Sequence, residues 1–164
     1  MNNLNDTLAK LEFAQIGWVV PDINAALKFL EKSLRVEFPP VSGYDSEELG
    51  IKYYGKVVPH KGLVTQTYNG SSFIELIQPL SGKSLFTDYL EKNPMGGVQH
   101  LAFKLPVADF DAVIDDITNQ GYQVIGEVDH AITRMKFIDT YKATGVATEI
   151  MGITPEGWKA LEQM

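Results

Sequence analysis

The sequence predicts an α+β fold in which two βαβββ modules form one curled, mixed sheet of eight strands around a cleft. Two observations favour it. An alternating segment, a proline and a helical apolar pattern occur twice, in FAQIGWVVPDINAALKFLEKSL and in QHLAFKLPVADFDAVIDDITNQG. Each helical segment is followed by three further runs that are typical of strands. Such a repeat predicts one domain built from two similar halves.

Module one, about residues 11–80, begins with the alternating strand, in which Gln15 and Gly17 share one face. Asp22 is the expected N-cap of the first helix, whose apolar residues follow the helical period. Three predicted strands follow, in GIKYYG, GLVTQTY and SSFIELIQP. The last of them carries Glu75 in an otherwise apolar frame.

A linker helix is expected within about residues 81–95, starting near Ser84 and ending near Lys92. Module two, about residues 96–152, opens with GGVQHLAFKLP. Alternation there puts His100, Ala102 and Lys104 on one face and Gln99 on the other. A helix ending at a glycine follows, and then come strands in YQVIGE, RMKFID and VATEIMG, the last carrying Glu149. Residues 11–152 are thus the predicted domain, and residues 153–164 the predicted C-terminal helix.

Composition narrows the classes of function. Hydrophobic residues make up 45% and charged residues 21% of the 164 residues, which is typical of a globular protein. The net charge of −7 gives no basic face for nucleic acid. Without cysteine there is no disulfide framework and no thiolate metal site. No apolar run suits a membrane span or a signal peptide, so a cytoplasmic protein that acts on a small molecule is the expectation.

Four polar side chains stand at matching positions of the two modules. Aligning QIGWVVP with HLAFKLP pairs Gln15 with His100, and the third later strand of each module contributes Glu75 or Glu149. Taken singly, each residue is more typical of an ordinary strand position than of a ligand. Together they would converge in the cleft, where two carboxylates repel each other unless a cation compensates them. The pattern therefore favours a divalent-cation site.

The arrangement resembles the vicinal oxygen chelate superfamily, which includes glyoxalase I, methylmalonyl-CoA epimerase, extradiol dioxygenases and bleomycin-resistance proteins. The resemblance extends from Phe13 to Gly152, and FIELIQPLSGKS and DYLEKNPMGGVQHLAFKL are its most specific stretches. It implies that a divalent ion (Zn²⁺, or Ni²⁺, Co²⁺ or Mn²⁺) is bound by four residues, namely Gln15, Glu75, His100 and Glu149. The resemblance is also compatible with a homodimer.

The resemblance implies a metal-dependent lyase or isomerase that moves a proton beside a metal-bound carbonyl, with Glu149 and Glu75 as the catalytic carboxylates. Gln15 in place of a first histidine disfavours dioxygenase chemistry, and only two arginines disfavour glutathione as substrate. Epimerases of this family have an acid in the strand after the first helix, and GIKYYG has none. The alternatives are an acyl-CoA epimerase and a non-catalytic protein that sequesters a small molecule.

Further residues are weaker candidates. Lys104 shares the His100 face and is a candidate contact for an anionic substrate, although a solvated strand end is the simpler interpretation. Tyr53 and Phe137 are candidates for the lining of the cleft, and ordinary core packing explains them as well. His60 and His130 lie in segments expected to be loops, where a solvent-exposed histidine is the simpler interpretation.

Overall fold

The computed structural model describes residues 11–163. Its strands are β1 Glu12–Val19, β2 Ser42–Asp45, β3 Lys52–Tyr53, β4 Lys56–Val57, β5 His60–Asn69, β6 Ser72–Gly82, β7 Gly97–Pro106, β8 Val124–Asp129, β9 Thr133–Ile138 and β10 Ala147–Ile153. Its helices are α1 Ile23–Leu34, α2 Ser46–Leu49, α3 Leu85–Lys92, α4 Val107–Asn119, α5 Tyr141–Thr144 and α6 Pro155–Leu161.

All ten strands belong to one sheet, in the order β2-β5-β6-β1-β7-β10-β9-β8-β3-β4. Strand β1 pairs with β6 in parallel, and β7 pairs with β10 in the same way. The two modules meet where β1 and β7 pair antiparallel. The curled, mixed α+β sheet of two βαβββ modules is therefore confirmed, and the first strands of the two modules lie side by side at its centre.

Each module buries one face of its sheet under its own helix. In module one, Asp22 caps α1 by accepting hydrogen bonds from the amides of Asn24 and Ala25. The apolar stripe of α1 packs against β6 in a cluster formed by Val20, Ile23, Leu30 and Leu76. In module two, α4 covers β7 and β10 through a larger cluster formed by Leu105, Phe110, Val113, Ile114, Ile138 and Ile150. These clusters leave the opposite face of the sheet available for a cleft.

The strand that follows α1 is not the predicted one. It is β2, at Ser42–Asp45, and it pairs with β5 at the edge of module one. The segment GIKYYG instead contributes to the short β3–β4 hairpin, which pairs with β8 of the other module. Two strands are thus added to the expected eight, because this hairpin extends the far edge of module two.

The last helix, α6, begins as the sequence predicts. Thr154 caps it by accepting a hydrogen bond from the amide of Gly157, and Pro155 occupies its first turn. Helix α6 packs against β10. None of the helices in residues 11–163 combines the length and the apolar character that crossing a membrane requires.

Candidate functional site

Gln15, Glu75, His100 and Glu149 converge at the centre of the sheet. They come from β1, β6, β7 and β10, which are neighbours in the sheet order. The amide nitrogen of Gln15 lies 3.1 Å from Glu75 Oε2, 3.0 Å from Glu149 Oε2 and 3.2 Å from His100 Nε2. His100 Nε2 lies 3.4 Å and 3.3 Å from the same two carboxylate oxygens. The four donor groups therefore face one point.

A glycine makes room for the imidazole of this cluster. Gly17 faces His100 across β1 and β7. A Cβ atom at position 17 would overlap the His100 ring. The His100 side chain is fully buried, and its ring also packs edge-to-face against Phe137, with 5.1 Å between centroids. The position of the ring is thus fixed by packing on more than one side.

A β-bulge supplies a partner for the other nitrogen of the ring. The β1–β7 register passes from Gly17–His100 to Trp18–Val98, so Gln99 is the extra residue. Its amide oxygen accepts a hydrogen bond of 2.7 Å from His100 Nδ1, and its amide nitrogen donates to the hydroxyl of Tyr141 at 2.6 Å. Alternation predicts that Gln99 points away from His100. Because of the bulge, the two side chains contact each other instead. With Nδ1 protonated, Nε2 faces the cluster.

Burial and proximity shift the acid–base properties of the cluster. Burial by itself would lower the pKa of His100, but hydrogen bonds and charges from Glu149 and Glu75 raise that pKa overall, to about 9. Burial raises the pKa of Glu149, against the opposing effect of His100. The side chain of Glu149 is 2% exposed, whereas that of Glu75 is 18% exposed. The two carboxylates therefore have different environments.

The donor set is compatible with a divalent cation. Atoms that share one ion at about 2.0–2.2 Å lie about 2.8–3.6 Å from each other, and the separations given above fall within that range. No group of three or more His, Cys, Asp or Glu side chains in residues 11–163 meets the geometry of an ion site by itself. The fit therefore depends on Gln15, whose amide must turn so that its oxygen replaces its nitrogen.

A cavity of about 650 Å³ adjoins the cluster. Gln15, Glu75 and Glu149 contribute to its wall, and most of its other lining side chains are apolar. They come from both modules and from α6, and they include Pro39, Val64, Phe73, Phe86, Met135, Phe137, Met151 and Leu161. The cavity thus combines a polar centre with apolar walls, as small-molecule sites commonly do.

Of the three candidate substrate contacts, two lie in the cavity wall and one lies outside it. Lys104 and Phe137 line the cavity. The ammonium group of Lys104 lies 3.8 Å from a carboxylate oxygen of Glu12 and 5.3 Å from the centroid of Trp158. Tyr53 is not among the lining residues, because the β3–β4 hairpin places it beside α3, where its hydroxyl donates to Asp88. Tyr53 therefore lies outside the cavity wall, and its contact with a substrate stays a prediction.

The sequence does not indicate one residue of the cavity wall, Tyr44, and the expected exposure of His60, which packs against it, is wrong. His60 is 3% exposed rather than solvent-exposed, because it begins β5; Nδ1 donates to the carbonyl of Val58. Tyr44, on β2, lines the cavity, and misplacing the strand after α1 concealed it. His130 is exposed as expected, at the cavity edge. SGYD has no strong strand pattern, so nothing in the sequence could have indicated Tyr44.

The sequence is similar to proteins of known families. A sequence model described as glyoxalase/bleomycin resistance protein/dioxygenase superfamily matches residues 14–138. The ethylmalonyl-CoA/methylmalonyl-CoA epimerase of Cereibacter sphaeroides is 40% identical over 111 residues, which cover 68% of this chain and 72% of that protein.

Solved structures share the fold. A hypothetical protein from Bacillus halodurans superposes with a TM-score of 0.64 and 23% identity, over 87% of this chain and 94% of that one. Methylmalonyl-CoA epimerase from Mycobacterium tuberculosis superposes with a TM-score of 0.61 and 22% identity, over 88% of this chain and 89% of that one. A variant of the Streptomyces coelicolor methylmalonyl-CoA epimerase, in complex with 2-nitronate-propionyl-CoA, superposes with a TM-score of 0.60 and 26% identity, over 87% of this chain and 94% of that one.

Proposed function

Because this chain belongs to the glyoxalase/bleomycin resistance protein/dioxygenase superfamily, we propose that it is an isomerase that moves a proton at the carbon beside the carbonyl of an acyl thioester. The reaction that fits best is epimerisation of a substituted malonyl thioester. The observation that supports the proposal most strongly is the convergence of two carboxylates, one imidazole and one amide beside an apolar cavity.

Gln15, Glu75, His100 and Glu149 are the residues that would hold a divalent cation. When bound there, such a cation supplies a Lewis acid that polarises the carbonyl of the substrate. His100 contributes through Nε2, because Gln99 accepts the hydrogen bond from Nδ1 and keeps the ring in that tautomer. Gly17 contributes by leaving the space in which the ring lies.

Glu149 is the proposed proton acceptor. A general base works best when its pKa lies near the working pH. Burial raises the pKa of Glu149, which moves this carboxyl in the required direction. Glu149 also lines the cavity, so a substrate carbon can approach it. Glu75 is more exposed and faces the cluster from the opposite module, which suits a second carboxylate that acts on the other side of the substrate.

The observed topology changes the objection to the epimerase alternative but does not remove it. That objection assumed that GIKYYG was the strand after the first helix. The true strand, β2, contains Asp45 as well as Tyr44. The carboxylate of Asp45 pairs with Lys61 at 2.8 Å and accepts a hydrogen bond from the amide of Glu47. Ser42 and Tyr44 are therefore the residues of β2 with polar side chains in the cavity wall, and Asp45 is not part of that wall.

An acyl thioester suits the walls of the cavity. An acyl group has an apolar substituent next to polar oxygens, and the cavity has apolar side chains next to the polar cluster. Lys104, a cation in the wall, lies where it can meet an anionic group of the substrate. The relative from Cereibacter sphaeroides carries the name of an epimerase for such thioesters, which favours them over the α-hydroxy carbonyl substrates of a lyase.

Proton exchange tests the proposal. Racemic methylmalonyl-CoA and ethylmalonyl-CoA are incubated in D₂O with protein loaded with Zn²⁺, Co²⁺ or Mn²⁺, and loss of the α-proton signal is followed by NMR. Exchange must depend on the ion, and in Glu149→Gln it must fall at least about 100-fold for the enantiomer whose α-proton Glu149 takes. Glu156→Gln, on the exposed side of α6, is the matched control and should exchange normally.

The other outcomes separate the remaining functions. Tight binding of a thioester without exchange would indicate a sequestering protein. Exchange or rearrangement of α-hydroxy carbonyls alone would indicate the lyase. Oxygen consumption with a catechol and Fe²⁺ would indicate a dioxygenase. Each of these results would overturn the epimerase proposal.

A further inference from the structure

The module-one wall of the cavity contains a polar atom that the proposed reaction has not yet used. Tyr44 lines the cavity with Gln15 and Glu75. Its hydroxyl oxygen is buried and has no hydrogen-bond partner within residues 11–163. Buried hydroxyl groups are nearly always paired in folded proteins, so an unpaired one in a cavity wall points to a partner that the chain does not supply.

The position of this hydroxyl depends on a glycine. Tyr44 lies opposite Gly62 in the β2–β5 ladder. A Cβ atom at position 62 would lie 2.5 Å from the hydroxyl oxygen of Tyr44 and 2.5 Å from Cε1. Gly62 does not adopt a backbone conformation reserved for glycine. Contact with the phenol ring is thus the visible reason for a glycine in this strand.

A second contact holds the ring. His60 packs against Tyr44 edge-to-face, with 5.9 Å between ring centroids and 78° between ring planes. His60 is itself fixed, since its Nδ1 donates a 2.8 Å hydrogen bond to the carbonyl of Val58 and its side chain is buried. The phenol therefore lies in a packed environment on the strand pair β2–β5, which suits a preorganised contact.

The surroundings also determine what the hydroxyl can do. Burial raises the pKa of Tyr44, and the charge of Glu75 raises it further. The phenol is therefore protonated at neutral pH, so it can donate a hydrogen bond but is a poor base. A donor near the cluster favours an oxygen on which negative charge develops.

We propose that the Tyr44 hydroxyl contacts the substrate and donates a hydrogen bond to an oxygen of its acyl group. Tyr44 belongs to the arm β2-β5-β6, whereas Glu149 belongs to β10 on the other side of the central β1–β7 pair. The two residues thus approach the cavity from different modules, and the substrate oxygen that gains charge when Glu149 takes a proton meets a fixed donor. This role rests on the proposed thioester function.

The test compares Tyr44→Phe with Tyr122→Phe. The first change removes the hydroxyl and keeps the packed ring; the second removes a hydroxyl from an exposed tyrosine after α4 and serves as the control. Binding of 2-nitronate-propionyl-CoA to the Zn²⁺-loaded proteins is measured by calorimetry. Tyr44→Phe should weaken binding about 10- to 100-fold, as expected for a hydrogen bond to an oxygen that carries negative charge in the nitronate. Tyr122→Phe should bind like the wild type.

Thermal melting of the cation-free proteins gives a readout that does not depend on activity. Because the hydroxyl has no partner in the chain, Tyr44→Phe should melt no lower than the wild type. A clear drop in melting temperature would show that the hydroxyl is structural and would overturn the proposal. Equal binding by Tyr44→Phe and wild type would overturn it while leaving the thioester function intact. Failure of the wild type to bind the probe would contradict both.

Discussion

The imidazole of His100 lies over Gly17, in the space that any other side chain at position 17 would occupy. The two residues face each other across β1 and β7, the strands at which the modules meet. The backbone at Gly17 is not in the left-handed region, so the glycine is required by the histidine rather than by its own conformation. A residue without a side chain thus determines where a candidate metal ligand lies.

Gly17→Ala should therefore weaken cation binding while the protein still folds. The added methyl group forces the His100 ring away from Glu75 and Glu149. Affinity for Zn²⁺, measured by competition with a chelator, should fall at least about 10-fold, and overpacking should cost about 1–3 kcal/mol of stability. Gly43→Ala is the matched control, because a Cβ atom there has no neighbour closer than 4.0 Å. Unchanged Zn²⁺ affinity in Gly17→Ala would contradict this role.

The substitution Gln99→Leu tests the role of the hydrogen bond between Gln99 and His100 Nδ1. Leucine keeps much of the buried volume but cannot accept the hydrogen bond from His100 Nδ1. Zn²⁺ affinity should fall about 10- to 100-fold, the usual effect of losing the partner of a metal-bound histidine. Tyr141→Phe removes only the acceptor for the other end of the Gln99 amide, so its effect should be smaller. An equal loss of Zn²⁺ affinity in the two variants would mean that this affinity depends on general packing and not on the contact with His100.

The cation-free protein should lose stability as the pH rises from about 6.5 to about 9. The pKa of His100 is raised from 6.5 to about 9 in the folded state. The folded protein therefore binds this proton more tightly than the unfolded chain, and the stabilisation is complete below pH 6.5 and lost as the pH passes 9. Urea unfolding should show a fall of about 1–3 kcal/mol across this window.

His100→Gln is the control for this titration, since glutamine carries no proton in that range. Its unfolding free energy should change less between pH 6.5 and pH 9. For the wild type, Zn²⁺ affinity should change in the opposite direction and increase over the same window, because binding displaces the proton from the imidazole. An increase in cation-free stability towards pH 9 would show that the imidazole is not held protonated by the two carboxylates.

The repeated module could be predicted because its determinants are local. Alternation in β1 and β7, the cap at Asp22 and the apolar stripes of α1 and α4 are all visible in short stretches of sequence. The convergence of the four polar residues followed from the repeat, since equivalent strands of two equivalent modules occupy equivalent places. Assignment of the metal, a homodimer and a cytoplasmic location remain predictions.

The features that the sequence did not predict depend on contacts between segments that are far apart in the chain. Strand β2 has four residues, SGYD, and lacks a strong strand pattern; its pairing with β5 determines its conformation. The β3–β4 hairpin depends on β8, about 70 residues further along the chain. Gln99 was assigned to the wrong face because alternation cannot reveal a bulge. Tyr44 could not be recognised as part of the cavity, because its strand was predicted in GIKYYG instead of SGYD.

Anomalous diffraction from crystals loaded with Co²⁺ or Zn²⁺ tests the central claim most directly. The account predicts one strong peak between β1, β6, β7 and β10, with the amide oxygen of Gln15, His100 Nε2 and a carboxylate oxygen each from Glu75 and Glu149 at about 2.0–2.3 Å from the ion. The Gln15 amide should be turned relative to the orientation in which its nitrogen contacts the carboxylates. A peak elsewhere, or an ion here that His100 does not contact, would contradict the account.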